Sequence, residues 1–213
     1  MTRSFVIALL GAESTGKTTL AEAITRALRA DGRSVVGVAE YLREFCDAQR
    51  RTPRHDEQAH IADTQTQRVA QAQRQFDVVV ADTTALMIAV YSDKVFGDTS
   101  LYAPALAAQR VVDLTLVTAL DLPWQADGLQ RDGPQVREPV DALLRAALAR
   151  GGIGYSVVSG SGSARLAAAL TAVRHALALP SVEDESAANP RWQWVCERCG
   201  DGDCEQHLLP RLG

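Results

Sequence analysis

Lysine is nearly absent from this 213-residue chain: Lys17 and Lys94 stand against twenty arginines. Cysteine is scarce as well, four residues in all, which excludes a disulfide scaffold of this size. No stretch approaches the roughly 18 to 20 apolar residues that a membrane helix requires. A formal net charge of −4 excludes a broadly basic nucleic-acid coat. What is present is 46% hydrophobic against 23% charged, enough apolar material for a packed core. These proportions predict a soluble, cytoplasmic chain of one ordinary domain with a small appendage. A chain that almost always uses arginine has kept lysine at position 17, which points to chemistry that arginine would not serve.

The apolar run Phe5 to Leu10 imitates the core of a secretory signal, but the nine residues after it point elsewhere. Gly11-Ala12-Glu13-Ser14-Thr15-Gly16-Lys17-Thr18-Thr19 fits G-x-x-x-x-G-K-[ST], with a buried strand before it and a helix from Leu20 to Ala30 after it. Glycines let the backbone turn its N–H groups inward around a polyanion, and the helix adds its partly positive end. Lys17 is a compact ammonium able to reach the β- and γ-phosphates of a nucleotide, and Thr18 offers a hydroxyl to Mg²⁺. Gly11, Glu13, Ser14, Thr15, Gly16, Lys17, Thr18 and Thr19 are therefore the expected nucleotide-binding residues.

Strand-like and helix-like stretches then alternate, which predicts an α/β fold of the P-loop NTPase kind. The expectation is a five-stranded parallel sheet covered by helices on both faces. The predicted strands are Phe5–Leu10, Ser34–Ala39, Val78–Ala81, Val112–Thr118 and Ile153–Val158. Helices are predicted over 41–49, 56–76, 84–91, 104–110, 139–150 and 163–179, with Ala59, Ala62, Val69, Ala70 and Ala72 on the inner face of the second of these. Asp121 to Glu138, rich in Gly, Pro, Asp and Arg, reads as a mobile connector. The expected division is a domain over 1–180, a polar linker over 181–189 and a separate tail over 190–213.

Phosphate loops serve GTPases, motor ATPases and small-molecule kinases alike. A GTPase needs N-K-x-D and D-x-x-G, and neither occurs at the expected places. A motor ATPase usually closes its third strand with two carboxylates, where this chain has Asp82 alone. Two predicted strand ends carry acids, Glu40 and Asp82, on the side where the phosphate loop lies, and ligands bind at the carboxyl ends of parallel strands. One could take the proton of an acceptor hydroxyl or hold the acceptor's sugar, and the other could orient Mg²⁺-bound water. Arg131 and Arg137 lie where a closing connector would bring them onto the transferring phosphoryl group.

The ordered set of motifs resembles the nicotinamide riboside kinase domain of NadR-type proteins over roughly the first 180 residues. It comprises the phosphate loop, Glu40-Tyr41-Leu42-Arg43-Glu44-Phe45, Ile61-Ala62 with Gln65, and Asp82-Thr83. Val90-Tyr91-Ser92, Phe96-Gly97 and Asp121-Leu122-Pro123-Trp124-x-x-Asp127-Gly128 with Arg131 and Arg137 complete it. The resemblance implies a nucleoside/nucleotide-kinase-like fold and ATP- and Mg²⁺-dependent phosphorylation of the ribose 5′-hydroxyl of nicotinamide riboside, a step of NAD biosynthesis. It implies catalytic roles for Lys17, Asp82, Glu40, Arg131 and Arg137, and substrate contacts from Glu40, Arg43, Gln65, Asp82 and Tyr91. Tyr91 stands where the family often has Trp against the pyridinium ring, a sound cation–π pairing. With the loop at residue 11, the adenylyltransferase domain of bifunctional members is not expected. Other readings stay open: another nucleoside or small metabolite as acceptor, or a nucleotide-sensing regulatory ATPase. Asp82 could cap a helix, Glu40 could be a solvated strand end, and Gln65 could face solvent. Tyr91 and Phe96 could be core, Trp124 a packing anchor, and the two arginines surface charge.

In the tail, Cys196-x-x-Cys199 precedes Cys204-x-x-His207. Three thiols and an imidazole within reach of one tetrahedral ion predict a compact structural Zn²⁺ knuckle, against the alternative of a disordered tail with incidental thiols. The expected partners are a small-molecule substrate and a second copy of the chain, with neither membrane nor nucleic acid.

Overall fold

The computed structural model describes residues 3–125 and 134–178. Arg131 and the tail ligands Cys196, Cys199, Cys204 and His207 lie outside the described residues, as does the expected linker. Five strands alternate with helices: β1 (Phe5–Leu10), α1 (Lys17–Ala30), β2 (Val35–Val38), α2 (Tyr41–Gln49), α3 (Gln58–Gln73), β3 (Val78–Asp82), α4 (Ala85–Phe96), α5 (Tyr102–Gln109), β4 (Leu114–Thr118), α6 (Arg137–Gly151), β5 (Ser156–Val158) and α7 (Gly162–Ala178). The strands pair in the order β2-β3-β1-β4-β5, and every pairing is parallel.

β1 is buried on both faces, which is why its sequence is continuously apolar rather than alternating. Its even and odd residues serve different layers. Ala8 and Leu10 meet α4, α5 and α6, together with Ile61 and Ala62 of α3. Ile7 and Leu9 meet Leu20, Ile24 and Leu28 of α1 and Ala169 and Val173 of α7. A third cluster joins Val6, Val38 and Val79 to Ala72. Each fully buried Ile or Leu contributes about 1.5–3 kcal/mol relative to exposure. α4 runs Ala85 to Val90 without an exposed residue, so it is a core helix rather than an amphipathic one. Thr84 caps its start, accepting from the Leu86 N–H, and Gly97 at φ 67° ends it.

Several boundaries differ from the sequence expectation, and for three of them the cause is visible. β4 begins at Leu114, because Asp113 is held by its carboxylate, which accepts the Val6 N–H at 2.7 Å and pairs with Arg3 at 3.0 Å. β5 begins only at Ser156, because the N–H groups of Gly152 and Ile153 turn back onto the Ala149 and Leu148 carbonyls and finish α6. α6 itself starts at Arg137, before Pro139. A proline in the first turn removes only an N–H that has no partner within the helix.

The inner face of α3 is also corrected. Ala62 and Ala72 are buried as expected, but Ala59 and Ala70 are exposed, and Gln58, Ile61 and Gln65 take the buried stripe. A reading by apolar residues alone does not anticipate a buried glutamine such as Gln65, whose amide is satisfied by main chain. Among the described residues, no helix is long and apolar enough to cross a membrane.

Candidate active site

The turn between β1 and α1 is built on three positive φ angles: Gly11 at 145°, Ser14 at 55° and Gly16 at 75°. They reverse the chain so that successive N–H groups can converge on an anion. Gly11 is required by space as well, since a Cβ there would stand 2.2 Å from Thr118 Oγ1. Beneath the loop, the buried Thr15 hydroxyl donates to the Ala12 carbonyl at 2.7 Å and meets the Thr118 hydroxyl at 2.7 Å. Lys17 folds over its own loop, its ammonium donating to the Gly11 and Ala12 carbonyls at 2.8 and 2.9 Å.

A cleft of about 900 Å³ opens on this loop. Glu13, Ser14, Thr15, Gly16, Lys17, Thr18 and Thr19 line it from below. Glu40, Leu42, Arg43 and Tyr91 line it from one side, and Leu122, Pro123, Gln125 and Arg165 from others. Glu40 is thereby brought to the phosphate loop from the end of β2, where it precedes α2 in extended conformation. Arg43, one turn further on, stands 3.7 Å from its carboxylate. Tyr91 is half-buried in α4, packs on the core and reaches the cleft.

Asp82 takes a different route. It ends β3 and is 5% exposed. It lines a neighbouring cavity of about 420 Å³ between α1 and the edge strand β2. Thr18 lines both cavities, so the two acids open onto neighbouring spaces with one residue in common instead of sharing one space. Asp82 Oδ1 is buried without a hydrogen-bond partner. An orphan carboxylate oxygen in a residue that lines the same cavity as a threonine suits a hard divalent cation, which takes oxygen ligands. Among the described residues, no cluster of three or more His, Cys, Asp or Glu side chains could hold a metal by itself. A cation at Thr18 and Asp82 would therefore also need phosphate or water oxygens.

Thr83, next in the chain, has φ 77°, a region that a β-branched residue avoids, and its buried hydroxyl has no partner. Gln65 explains how this corner holds. Fully buried, it accepts the Tyr41 N–H at 2.8 Å, and its amide nitrogen donates to the Ala39 and Thr83 carbonyls, each at 3.3 Å. It thus ties the end of β2, which carries Glu40, to the end of β3, which carries Asp82. Its amide faces main chain rather than solvent.

Arg137 does not ride in an irregular connector. It is the first residue of α6 and buried, its guanidinium donating to the Leu122 carbonyl at 2.9 Å. Its Nε and second amino group are buried without partners. Phe96 packs against His55 with ring centres 5.4 Å apart and the planes tilted by 58°. Cys46 is buried, and burial pushes its thiol up to about 11. Reading the sequence missed Thr118 and Arg165 and gave Asp121, although part of a quoted motif, no role; Thr118 and Arg165 contact the loop, and Asp121 pairs with Arg165. In an arginine-rich chain Arg165 carries no signal, although the Ser159-Gly160-Ser161-Gly162 run at the end of β5 marks a tight turn near the site.

A phosphate loop joining the central strand of a parallel sheet to the following helix, with acids at the neighbouring strand ends, defines a P-loop nucleotide-binding protein. The model of the AAA domain family (AAA_28) matches residues 6–165, and the chain belongs to that family. Its fold is that of NadR proteins. One, solved in complex with NAD and AMP-PNP, superposes with a TM-score of 0.66 at 22% identity, over 83% of this chain and 50% of that one. Another, in complex with NR, gives 0.64 at 20% identity, over 83% and 52%. The chain thus spans about half the length of these NadR chains. Thymidylate kinase from Ehrlichia chaffeensis is matched along its whole length, at 13% identity and a TM-score of 0.58, over 81% of this chain. Among curated proteins, none matches by sequence.

Proposed function

We propose that the protein is a kinase that transfers the γ-phosphoryl group of ATP to the ribose 5′-hydroxyl of nicotinamide riboside, giving nicotinamide mononucleotide and ADP. The observation that carries this reading is the single cleft in which the phosphate loop faces Glu40, Arg43 and Tyr91. It offers a polyphosphate cradle and, across it, an acid, a cation and an aromatic face. Those are the groups that a hydroxyl donor with a ribose and a cationic ring would need.

In this reading the loop N–H groups and Lys17 hold the β- and γ-phosphates, and Lys17 leaves the Gly11 and Ala12 carbonyls to do so. Glu40, on the acceptor side, takes the proton as the 5′-oxygen bonds to phosphorus and the bond to the ADP oxygen breaks. Thr18 and Asp82 would hold Mg²⁺, which when bound neutralises charge on the phosphates. Tyr91 lies against the ring, Arg43 contacts the ribose side, and Gln65 acts through the strand ends that it ties. Arg131 and Arg137 meet the developing phosphoryl charge, Arg137 through the guanidinium nitrogens that have no partner here. The Cys196, Cys199, Cys204 and His207 set would hold Zn²⁺ in a tail of its own, which metal analysis of the reduced protein tests directly.

The test is release of ADP with a panel of acceptors: nicotinamide riboside, thymidine, thymidylate and none. Turnover should require an acceptor, be greatest with nicotinamide riboside, vanish in Lys17→Ala and fall at least about a hundredfold in Glu40→Gln. Slow hydrolysis that no acceptor accelerates would overturn the kinase reading. Preference for another nucleoside or nucleotide would overturn only the acceptor.

A further inference from the structure

We propose that Arg165 and Asp121 are positioning residues for phosphoryl transfer, an ion pair between a buried guanidinium and a partly exposed carboxylate that holds the phosphate loop, the Gly160 turn and the root of the 121–125 segment in one frame. The proposal deepens the kinase reading and rests on it. Arg165 comes from α7 and is 4% exposed. One of its amino groups donates to Asp121 Oδ1 and to the Gly160 carbonyl, each at 2.8 Å, and the other donates to the Thr15 carbonyl at 2.8 Å. Asp121 closes the ring, its second oxygen accepting the Gly160 N–H at 2.5 Å. Burial raises the Asp121 carboxyl, and the Gly160 and Arg165 donors outweigh it, so its titration lies below the ordinary range.

The bond to Thr15 matters most. A planar peptide carries its C=O and the next N–H on opposite sides, so fixing the Thr15 carbonyl also fixes the Gly16 N–H of the same plane. Gly16 opens the helix whose start faces the phosphates, and its N–H is one of the loop donors. Arg165 therefore sets the direction of a phosphate-binding group without itself being a catalytic residue. Three acceptors shared between two amino groups are a task for a guanidinium fork, which an ammonium meets poorly.

The same pair anchors the segment after β4. One residue beyond Asp121, Leu122 packs so close to Gly16 that a Cβ there would lie 3.1 Å from its Cδ1. Ser14 Oγ accepts the Gln125 N–H at 2.8 Å. The segment thus lies against the loop at both ends, and its register on the loop is set at Asp121. Arg137 reports the same frame, since it bonds the Leu122 carbonyl.

The experiment compares wild type with Arg165→Lys, Asp121→Asn and the double variant in the full chain. It measures affinity for Mg²⁺-ATP, kcat and KM with nicotinamide riboside, and the urea midpoint. Each single variant should weaken nucleotide binding and lower kcat by about tenfold or more, as expected when one charge-assisted hydrogen bond is lost. The double variant should be no worse than about twofold below the poorer single, because the pair acts as a unit. Affinity and kcat within twofold of wild type in the folded variants, with only the urea midpoint lowered, would make the pair merely structural and overturn the proposal. Asp121→Asn, which keeps shape and removes the charge and one of the two acceptor oxygens, decides the matter alone should Arg165→Lys fail to fold. Wild-type protein that binds nucleotide but phosphorylates no acceptor would sink the kinase reading, and the affinity comparison would still judge the pair.

Discussion

Replacing Gly11 by alanine should unfold the phosphate loop for a reason readable atom by atom. At φ 145° an L side chain is strained, a cost of about 1–3 kcal/mol. The added Cβ would stand 2.2 Å from Thr118 Oγ1, 3.2 Å from the Thr118 carbonyl and 3.4 Å from Thr118 Cβ. The last two contacts can be eased; the first cannot stand. Thr118 must swing its hydroxyl away, losing the 2.7 Å bond with Thr15 and the 3.2 Å bond to the Leu10 carbonyl. Two buried hydrogen bonds at about 1 kcal/mol each bring the total to roughly 3–5 kcal/mol. With a urea slope of about 2 kcal/mol per molar, the unfolding midpoint should fall by about 2 M. Thr118→Ala alone should cost about 1–2 kcal/mol, since Thr15 keeps its bond to Ala12. The double variant should be no less stable than Gly11→Ala by itself, because the bonds that Thr118 would lose are already gone. Urea unfolding of the four proteins at one pH completes the cycle. Single effects that add to within about 0.5 kcal/mol would refute the argument, since they would mean that the two residues do not touch in the way described.

Strain and charge set two further outcomes. Thr83→Gly removes left-handed strain of about 1–2 kcal/mol and a buried hydroxyl without a partner, against about 1 kcal/mol each for a lost methyl contact and a freer unfolded chain. The urea midpoint should rise, by about 1 kcal/mol in stability, and a loss of more than that would show methyl packing to dominate. Glu57 is gripped by the Arg51 fork at 2.6 Å on both oxygens and by the Arg54 N–H at 2.7 Å, which depress its carboxyl to about 2. Its contribution is therefore fully present above the unfolded value near 4.5 and is lost as pH falls through about 2. Glu57→Gln should be less stable than wild type at neutral pH and should lose less stability on acidification between those values. Parallel acid-unfolding curves would contradict it.

The phosphate loop was legible because its chemistry is contiguous: nine consecutive residues carry the glycines, the ammonium and the hydroxyl, with an apolar strand before them and a helix after them. The alternation of strands and helices was readable from periodicity, and so was the placement of Glu40 and Asp82 at strand ends. Where each acid opens was not legible. Which cavity a side chain lines depends on the helix crossing beside it, and α1 separates the space at Asp82 from that at Glu40, leaving Thr18 common to both. Gln65 looked like one of several polar residues on a glutamine-rich helix until the fold set it against three main-chain groups of two strand ends.

Sequence by itself determined what local geometry and hydrophobic patterning can dictate: an anion-binding turn, alternating strands and helices, and a doubly covered parallel sheet. Tertiary structure alone decided what supports the turn. Thr118 reaches it across 103 residues and Arg165 across 150. A hydrogen bond over such a separation leaves no periodic trace, because it is set by where two distant elements come to rest and not by the order of residues within either.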